Sequence, residues 1–301
     1  MLKRSSIIVN MNRMSAERRT RVLSALVEGN SIRATCRMTG TAKGTVMTLL
    51  ADAGAACQDY QDAALRNLGC QHIQCDEIWS FVYAKARNLP VERRRQWGVG
   101  DVWTWTALDA ESKLAVHWLV GTRDPDTAAV FMRELATRLA NRVQLTSDGW
   151  HAYLEAVPGA FGAEIDFATL RKIYGTDPQA DNRKYSPAKV LGVEVKKVSG
   201  KPEYRHINTS YVERQNLTMR MAMRRFTRLT NAFSKKVENL EHAIALHFMH
   251  YNFCRPHQTL ANPYPTTPAM AASITDHVWK VSEIVALIEV REAAGKLATA
   301  S

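Results

Sequence analysis

Apolar residues recur along this chain with two different periods, and the change of period divides it into regions. Between residues 15 and 56 they recur at helical spacing, as Val22 and Leu26 do. Between residues 72 and 150 the apolar runs are short and rich in β-branched and aromatic residues, which predicts strands. Beyond residue 209 the helical period returns. The pattern therefore predicts a small all-α segment, a mixed α/β region and further helices.

The N-terminal segment has the pattern of a helix-turn-helix. Ser31 can cap a short helix that ends near Gly40, and Thr39 or Thr41 can cap the next helix, which is predicted to end at Gly54. The second helix of such a pair lies in the major groove of DNA. A small three-helix bundle without DNA binding would give the same pattern. We expect three residues near the exposed start of the second helix to contact DNA: Thr41, Lys43 and Thr45.

The central region predicts a mixed sheet with flanking helices. Residues 72–84 predict a strand, 102–122 two strands around a turn, 124–140 a helix, 143–150 a strand and 163–174 one more strand. The polar, lysine-rich stretch 175–207 predicts a loop or insertion, and helices are predicted over 209–232, 237–254 and 276–290. Three strands, a helix, a strand and then helices is the element order of the ribonuclease H-like fold. The fold class expected is therefore α/β, preceded by the all-α module.

Charge is distributed unevenly, and the distribution favours a nucleic-acid partner. The net charge is +11, and residues 171–236 hold 16 Lys and Arg against 5 Asp and Glu. Residues 61–170 hold 14 acidic against 11 basic residues. A polyanion bound by the basic segments would be presented to the acidic one. A generally basic surface is the alternative.

Cysteine usage and hydropathy indicate a cytoplasmic protein. The five cysteines are irregularly spaced, which favours reduced thiols. The spacing Cys70-x-His72-x-x-Cys75 could suggest zinc, but it lacks a second pair at zinc-finger spacing. No apolar run reaches the ~18–20 residues of a membrane span, and residues 7–9 are too few for a signal-peptide core.

Three acidic residues stand where they could hold divalent cations. Asp76 lies in a predicted strand, Asp148 closes another, and Glu213 opens a basic helix. Carboxylates arranged in this way can bind two cations about 3.5–4 Å apart, which clamp the attacking and leaving oxygens of a phosphodiester. Solvated acids, an ordinary Asp-Gly turn and a surface ion pair are the alternatives for the three positions. On the predicted helix, the face of Glu213 continues into a basic stripe that we expect to hold the DNA backbone: Arg220, Arg224 and Arg228.

The motifs around these acids resemble those of a known family. DEIWSFV around Asp76, SDGW around Asp148, YVERQNLTMR around Glu213 and the later YNFCRPHQTL are similar to the DDE transposases of bacterial insertion sequences, within which they match the insertion-sequence-one type. The resemblance covers roughly residues 15–270. It implies a ribonuclease H-like catalytic domain, with Asp76, Asp148 and Glu213 as the carboxylate triad for two Mg²⁺ ions, for which Mn²⁺ can substitute. It also implies DNA contact by Arg220, seven residues after the glutamate.

Two departures from the family pattern bear on these assignments. Between Asp148 and Glu213 lie 64 residues, which is more than in many members and leaves Glu194 and Glu203 as rivals for the third acid. An N-terminal cysteine zinc finger, which some relatives carry, is absent, so that recognition of the DNA ends would depend on the helix-turn-helix module.

The function that we expect is transposition. The partners would be the terminal inverted repeats of the element and its target DNA, with the protein at least a homodimer on paired ends and nucleoid-associated when bound. A non-catalytic DNA-binding protein derived from a transposase, and a nuclease that does not join strands, are the alternatives. The expected organisation is a DNA-binding module over 1–60, a catalytic domain over 61–260 with a basic insertion near 175–207, and a helical tail over 261–301.

Overall fold

The computed structural model describes residues 14–175, 190–227, 231–260 and 264–300, and it shows a mixed α/β fold. A single sheet of six described strands is flanked by helices. The strands are β1 (His72–Val82), β2 (Gly100–Asp109), β3 (Ala115–Gly121), β4 (Val143–Ser147), β5 (Ile165–Tyr174) and β6 (Val190–Ser199). The helices are α1 (Ala16–Val27), α2 (Ile32–Thr39), α3 (Lys43–Ala64), α4 (Pro125–Arg138), α5 (Ala152–Phe161), α6 (Ser210–Ala222), α7 (Val237–Met249), α8 (Pro268–Ala271) and α9 (Val281–Ala300).

Strand β1 lies in the interior of the sheet, whose order is β3-β2-β1-β4-β5-β6. The first three strands form an antiparallel meander, β1, β4 and β5 run parallel, and β6 returns antiparallel to β5. The register of β1 and β4 pairs Cys75 with Ser147. Asp76, inside β1, and Asp148, the first residue after β4, follow this pair and therefore lie at the same level on neighbouring parallel strands.

The central elements form where the sequence predicts them. Strands β1, β3, β4 and β5 and helix α4 fall in their predicted ranges, and β2 begins two residues before its range. Helix α4 begins as expected: Pro125 stands in its first turn, and the Asp124 carboxylate accepts a hydrogen bond from the Thr127 amide at 2.8 Å. Phe131 and Leu135 of α4 are fully buried against the sheet. These elements build the layer on which Asp148 and the turn around it rest.

Helix α3 differs from its prediction at both ends. Its N-cap is Ala42 and not a threonine, and Thr41 is buried, which corrects the expectation that this side chain lies exposed at the helix start. The helix also continues past Gly54 to Ala64. Gly54 does not end it because this glycine allows close packing on α7, where an added Cβ would lie 2.4 Å from Cα of His242.

The N-terminal helices share one apolar core with the sheet and the later helices. Helix α3 packs against both α7 and α9, and α9 also contacts α1. Two side-chain pairs support these contacts, Arg19 with Glu292 at 3.1 Å and Arg291 with Asp59 at 2.7 Å. The predicted module boundary at residue 60 lies inside α3. The division into three domains stays a prediction.

The region around the basic insertion contains a strand that the sequence did not predict. Residues 190–199 form β6, so a loop over the whole of 175–207 is wrong, while residues 176–189 lie outside the described part. Residues of β6 are mostly exposed, and for that reason the apolar alternation that signals a strand is weak there. Helix α6 is shorter than predicted, because the backbone becomes extended at Met223 and a 3₁₀ turn follows over 224–226. In the described part of the chain, no helix combines the length and the apolar character of a membrane span.

Candidate active site

The three acids that the sequence predicts for the site line one cleft, beside the middle of β1 and the end of β4. Asp76 comes from β1, Asp148 from the turn after β4, and Glu213 from the first turn of α6. Asp76, Glu77 and Asp148 form a compact group in which one carboxylate oxygen of each lies within 4.8 Å of the others. Glu213 faces the same cleft from outside that group. Four carboxylates therefore converge, one more than predicted.

Asp76 is held in place by α6 and by its own strand. The Asn216 amide donates a hydrogen bond to Oδ2 of Asp76 at 2.8 Å, and the Glu77 backbone amide donates to Oδ1 at 2.9 Å. Gln74, two residues earlier on the same face of β1, accepts hydrogen bonds from the Tyr211 and Val212 amides at 2.9 and 3.1 Å. The first turn of α6 is thus fixed to β1, because its amides have no partner within the helix.

Burial raises the pKa of Asp76 to about 6. The hydrogen bond from the Glu77 amide opposes this rise, the charges of Asp148 and Glu213 add to it, and the Asn216 bond opposes it. A cation in the cleft would reverse the balance, since it would favour the ionised carboxylates.

Glu213 already has a positive partner in the cleft. Nζ of Lys172, on β5, lies 2.5 Å from Oε1 of Glu213 and also contacts Oε2. The hydroxyl of Thr209 donates a hydrogen bond to Oε1 at 2.7 Å. Sequence analysis did not single out Lys172, because its position opposite α6 follows only from the pairing of β5 in the sheet.

Glu77 is the acid that sequence reasoning missed. Its side chain is 1% exposed, and Oε2 lies 3.5 Å from Nη2 of Arg123. Oε1 has no hydrogen-bond partner among the described residues. Burial raises the pKa of Glu77 to about 8, and the Asp148 charge adds to the rise. The sequence does hold a sign of this role: Glu77 shares one face of β1 with Cys75 and Trp79, so that an acid lies on an otherwise apolar face.

Arg123 connects two of the carboxylates, and aromatic rings hold it there. Its Nη2 lies 3.2 Å from Oδ2 of Asp148 in addition to its contact with Glu77. The guanidinium is 5.0 Å from the ring centroid of Trp103 and 4.8 Å from that of Trp150, within the range of cation–π interactions. Asp148 also accepts a hydrogen bond from the Trp150 amide at 3.0 Å, which stabilises the turn after β4.

Among the described residues, the predicted DNA contacts fall in two places, because Lys43 and Arg224 line one cavity that does not include Arg220. Arg220 lines the acidic cleft. Arg224 is exposed in the 3₁₀ turn beyond α6, so the prediction that it continues the helical stripe is wrong, and Arg228 lies outside the described residues. At the other end of the chain, Lys43 and Thr45 are exposed in the first turn of α3, as expected.

The two rival glutamates lie away from the cleft. Glu203 bonds through its backbone to the Gln144 side chain, at the start of β4 and so at the other end of that strand from Asp148. Its carboxylate pairs with Arg205 at 2.9 Å. Glu194 is exposed on β6, opposite Arg171 of β5. Neither residue lines the site, whereas Glu213 does.

The donor set of the cleft is composed of oxygen atoms. Carboxylates are the ligands that Mg²⁺ and Mn²⁺ prefer, and Lys172 and Arg123 show that the cleft accommodates positive charge next to these carboxylates. Such an arrangement can bind divalent cations and act on a phosphate ester.

Comparisons with known proteins agree with the motifs. No family model matches the chain. It is 28% identical over 173 residues to the insertion element iso-IS1n protein InsB of Shigella dysenteriae, a match that covers 57% of this chain and 88% of that protein. Among solved structures, a chain of the Mos1 strand transfer complex matches over 78% of this chain and 75% of its own length at 11% identity, with a TM-score of 0.24, too low to support an argument. The chain is therefore similar to a protein of an insertion element of the insertion-sequence-one type.

Proposed function

We propose that this protein cleaves and joins DNA as the transposase of an insertion sequence, with Asp76, Asp148 and Glu213 as its catalytic triad. The observation that carries the proposal is that these acids, widely separated in sequence, line one cleft. The mixed sheet with β1 in its interior, the antiparallel meander and the acids on β1 and after β4 support a ribonuclease H-like interpretation of the fold.

The residues of the cleft fit two Mg²⁺ ions. Asp76, Asp148 and Glu213, which line this cleft, would hold the ions. In this structure the ammonium of Lys172 supplies the positive charge next to Glu213 that a metal ion would supply, and the guanidinium of Arg123 does the same next to Asp148. When bound, a metal pair supplies activation of the attacking oxygen and stabilisation of the leaving oxygen in an in-line displacement.

The surrounding residues have separate tasks in this proposal. Asn216 and the Glu77 amide orient Asp76, and Thr209 orients Glu213. Lys172 and Arg123 give up their carboxylate partners and bind the phosphates that flank the reacting one. Positive side chains at those places lower the cost of bringing a polyanion to a site with four carboxylates.

Recognition of the DNA ends is proposed for the start of α3. Lys43 and Thr45 are exposed there and can reach base edges or phosphates of the terminal inverted repeats. Arg220, in the last turn of α6, lines the cleft and would hold the backbone beside the scissile phosphate. Since joining requires two ends held together, the active form would be a homodimer or a larger assembly on DNA.

The test separates DNA binding from chemistry in full-length protein. Asp76→Asn, Asp148→Asn and Glu213→Gln should each abolish Mg²⁺-dependent nicking of an oligonucleotide that carries the terminal repeat. Binding of the same oligonucleotide, measured by gel shift in EDTA, should stay within a few-fold of wild type, because the basic contacts remain. A variant that nicks at a near-normal rate would remove its residue from the triad, and nicking by all three would refute the proposal.

A further inference from the structure

We propose a second metal site, for Zn²⁺, formed by His72, Glu111 and His206 and distinct from the acidic cleft. His72 is the first residue of β1, four residues before Asp76, which corresponds to about 13 Å along a strand. Glu111 lies in the turn between β2 and β3, and His206 in the 3₁₀ turn Tyr204–His206 that precedes α6. The inference does not depend on the proposed catalytic function.

The three side chains already form a cluster. One ligand atom from each lies within 4.8 Å of the others. Nδ1 of His72 is 2.5 Å from Oε1 of Glu111, the His72 backbone amide donates to Oε2 at 3.3 Å, and the imidazoles of His72 and His206 stack with centroids 3.8 Å apart. All three side chains are partly exposed, so an ion can reach the site from solvent.

An independent observation behind the cluster also indicates a cation. Asp109, at the end of β2, is only 3% exposed, and its Oδ1 has no hydrogen-bond partner among the described residues. Oδ2 accepts hydrogen bonds from both the amide and the hydroxyl of Ser112. Asp109 stands two residues before Glu111, at the start of the same turn. Two neighbouring carboxylates and two imidazoles can bind a divalent cation. Glu111 would be the carboxylate ligand, and Asp109 would orient it.

The donor types favour zinc over magnesium. Two imidazoles and one carboxylate are a set that Zn²⁺ binds with one position left for water, at Zn–N distances of about 2.0–2.1 Å. Mg²⁺ avoids imidazole and prefers oxygen ligands. Cys75 takes no part, since it is fully buried in the core.

A metal at this position would fasten the segment that leads to α6. The cluster joins the start of β1, the β2–β3 turn and the 3₁₀ turn before α6. The same segment is docked on β4 by two hydrogen bonds between the Glu203 backbone and the Gln144 side chain, at 2.7 and 3.1 Å. Zinc would therefore hold the N-terminal approach to the helix that carries Glu213.

The test measures zinc binding by full-length protein stripped with EDTA and dialysed into buffer with millimolar Mg²⁺. We expect one Zn²⁺ per chain by elemental analysis, a rise in melting temperature on its addition, and loss of both in His72→Gln and His206→Gln. The matched control is His277→Gln, which removes an exposed histidine that also contacts two acids, Asp276 and Glu283. Asp148→Asn should also keep the zinc, which separates this site from the acidic cleft.

A variant that gains an absorption band gives a second test, because a poorly folded variant would lose binding but would not gain the band. With Co²⁺ as the probe, wild-type protein should give the visible absorption of a four-coordinate site with nitrogen and oxygen ligands. His206→Cys should add a sulfur-to-metal charge-transfer band, because the thiolate would enter the coordination sphere. Failure of the wild type to bind zinc, zinc retained by both His→Gln variants, or a His206→Cys spectrum without that band would overturn the proposal.

Discussion

Glu77→Gln should make the stability of the metal-free protein less dependent on pH. Glu77 has a side chain that is 1% exposed, and burial raises its pKa from 4.5 to about 8. The folded protein therefore keeps a proton on this carboxyl that the unfolded chain releases near pH 4.5. The contribution of this group to the free energy of unfolding is fully present below pH 4.5 and is lost as the pH rises through 8.

The size of the effect follows from the shift. The rise from 4.5 to about 8 corresponds to about 5 kcal/mol at 1.36 kcal/mol for each pKa unit. Between pH 5 and pH 8 the wild type should lose about 3 kcal/mol through this residue. Glutamine has the same shape and no charge, so Glu77→Gln should lose only the smaller part that comes from Asp76, whose pKa of about 6 acts in the same direction.

Urea unfolding followed by circular dichroism, in EDTA at pH 5, 6, 7 and 8, gives the free energies of unfolding. Glu155→Gln, which changes an exposed acid of α5, is the matched control and should follow the wild type. If the wild type and Glu77→Gln lose the same stability between pH 5 and pH 8, Glu77 is not a buried acid with a raised pKa. The account of its environment next to Arg123 and Asp148 would then be wrong.

Three further variants test the packing of α3 and the two proposed DNA contacts. Gly54→Ala should lower the free energy of unfolding by about 1–3 kcal/mol, because the new Cβ meets the α7 backbone. Gly44→Ala, in the same helix but with open space around the residue, should be neutral or should stabilise the protein by up to about 1 kcal/mol. Equal effects of the two substitutions would contradict the close α3–α7 contact. Arg220→Ala should slow strand transfer and reduce the slope of log binding constant against log salt concentration by about one unit. Arg291→Ala, which breaks an exposed pair with Asp59, should do neither. If both variants join DNA at the wild-type rate, Arg220 lies outside the DNA path. Lys43→Ala should weaken gel-shift binding to repeat DNA without changing the melting temperature, and unchanged affinity would remove α3 from the proposed reader.

The sequence predicted those parts of the fold that rest on burial. The periods of apolar residues located β1 to β5 and α4, since these elements pack on both sides or along one clear face. The same signal is weak in β6, which is mostly exposed, and for that reason the sequence pattern predicts a loop there. The end of α3 was placed at Gly54 because glycine often ends helices, and only the approach of His242 explains why it does not do so here.

For the site, the motifs located the acids but not their partners. Asp76, Asp148 and Glu213 could be chosen from local context, and the register of β1 with β4 explains why the first two meet. Lys172 and Arg123 reach the cleft from β5 and from the loop before α4, so their contacts depend on tertiary structure. Thr41 was expected to be exposed because it precedes a helix, yet the turn after Gly40 buries it.

The identity of the third acid and the joining reaction are tested together by one strand-transfer assay. A pre-cleaved terminal-repeat oligonucleotide with a free 3′ hydroxyl is incubated with target plasmid, Mg²⁺ and wild-type protein, Glu213→Gln or Glu203→Gln. Glu203 is the matched control, because it is a nearby glutamate, in the segment before α6, whose carboxylate pairs with Arg205 away from the cleft. We predict joining by wild type and Glu203→Gln and none by Glu213→Gln. Joining by Glu213→Gln, or none by the wild type under conditions where it binds the oligonucleotide, would contradict the assignment of this cleft as the centre of transposition.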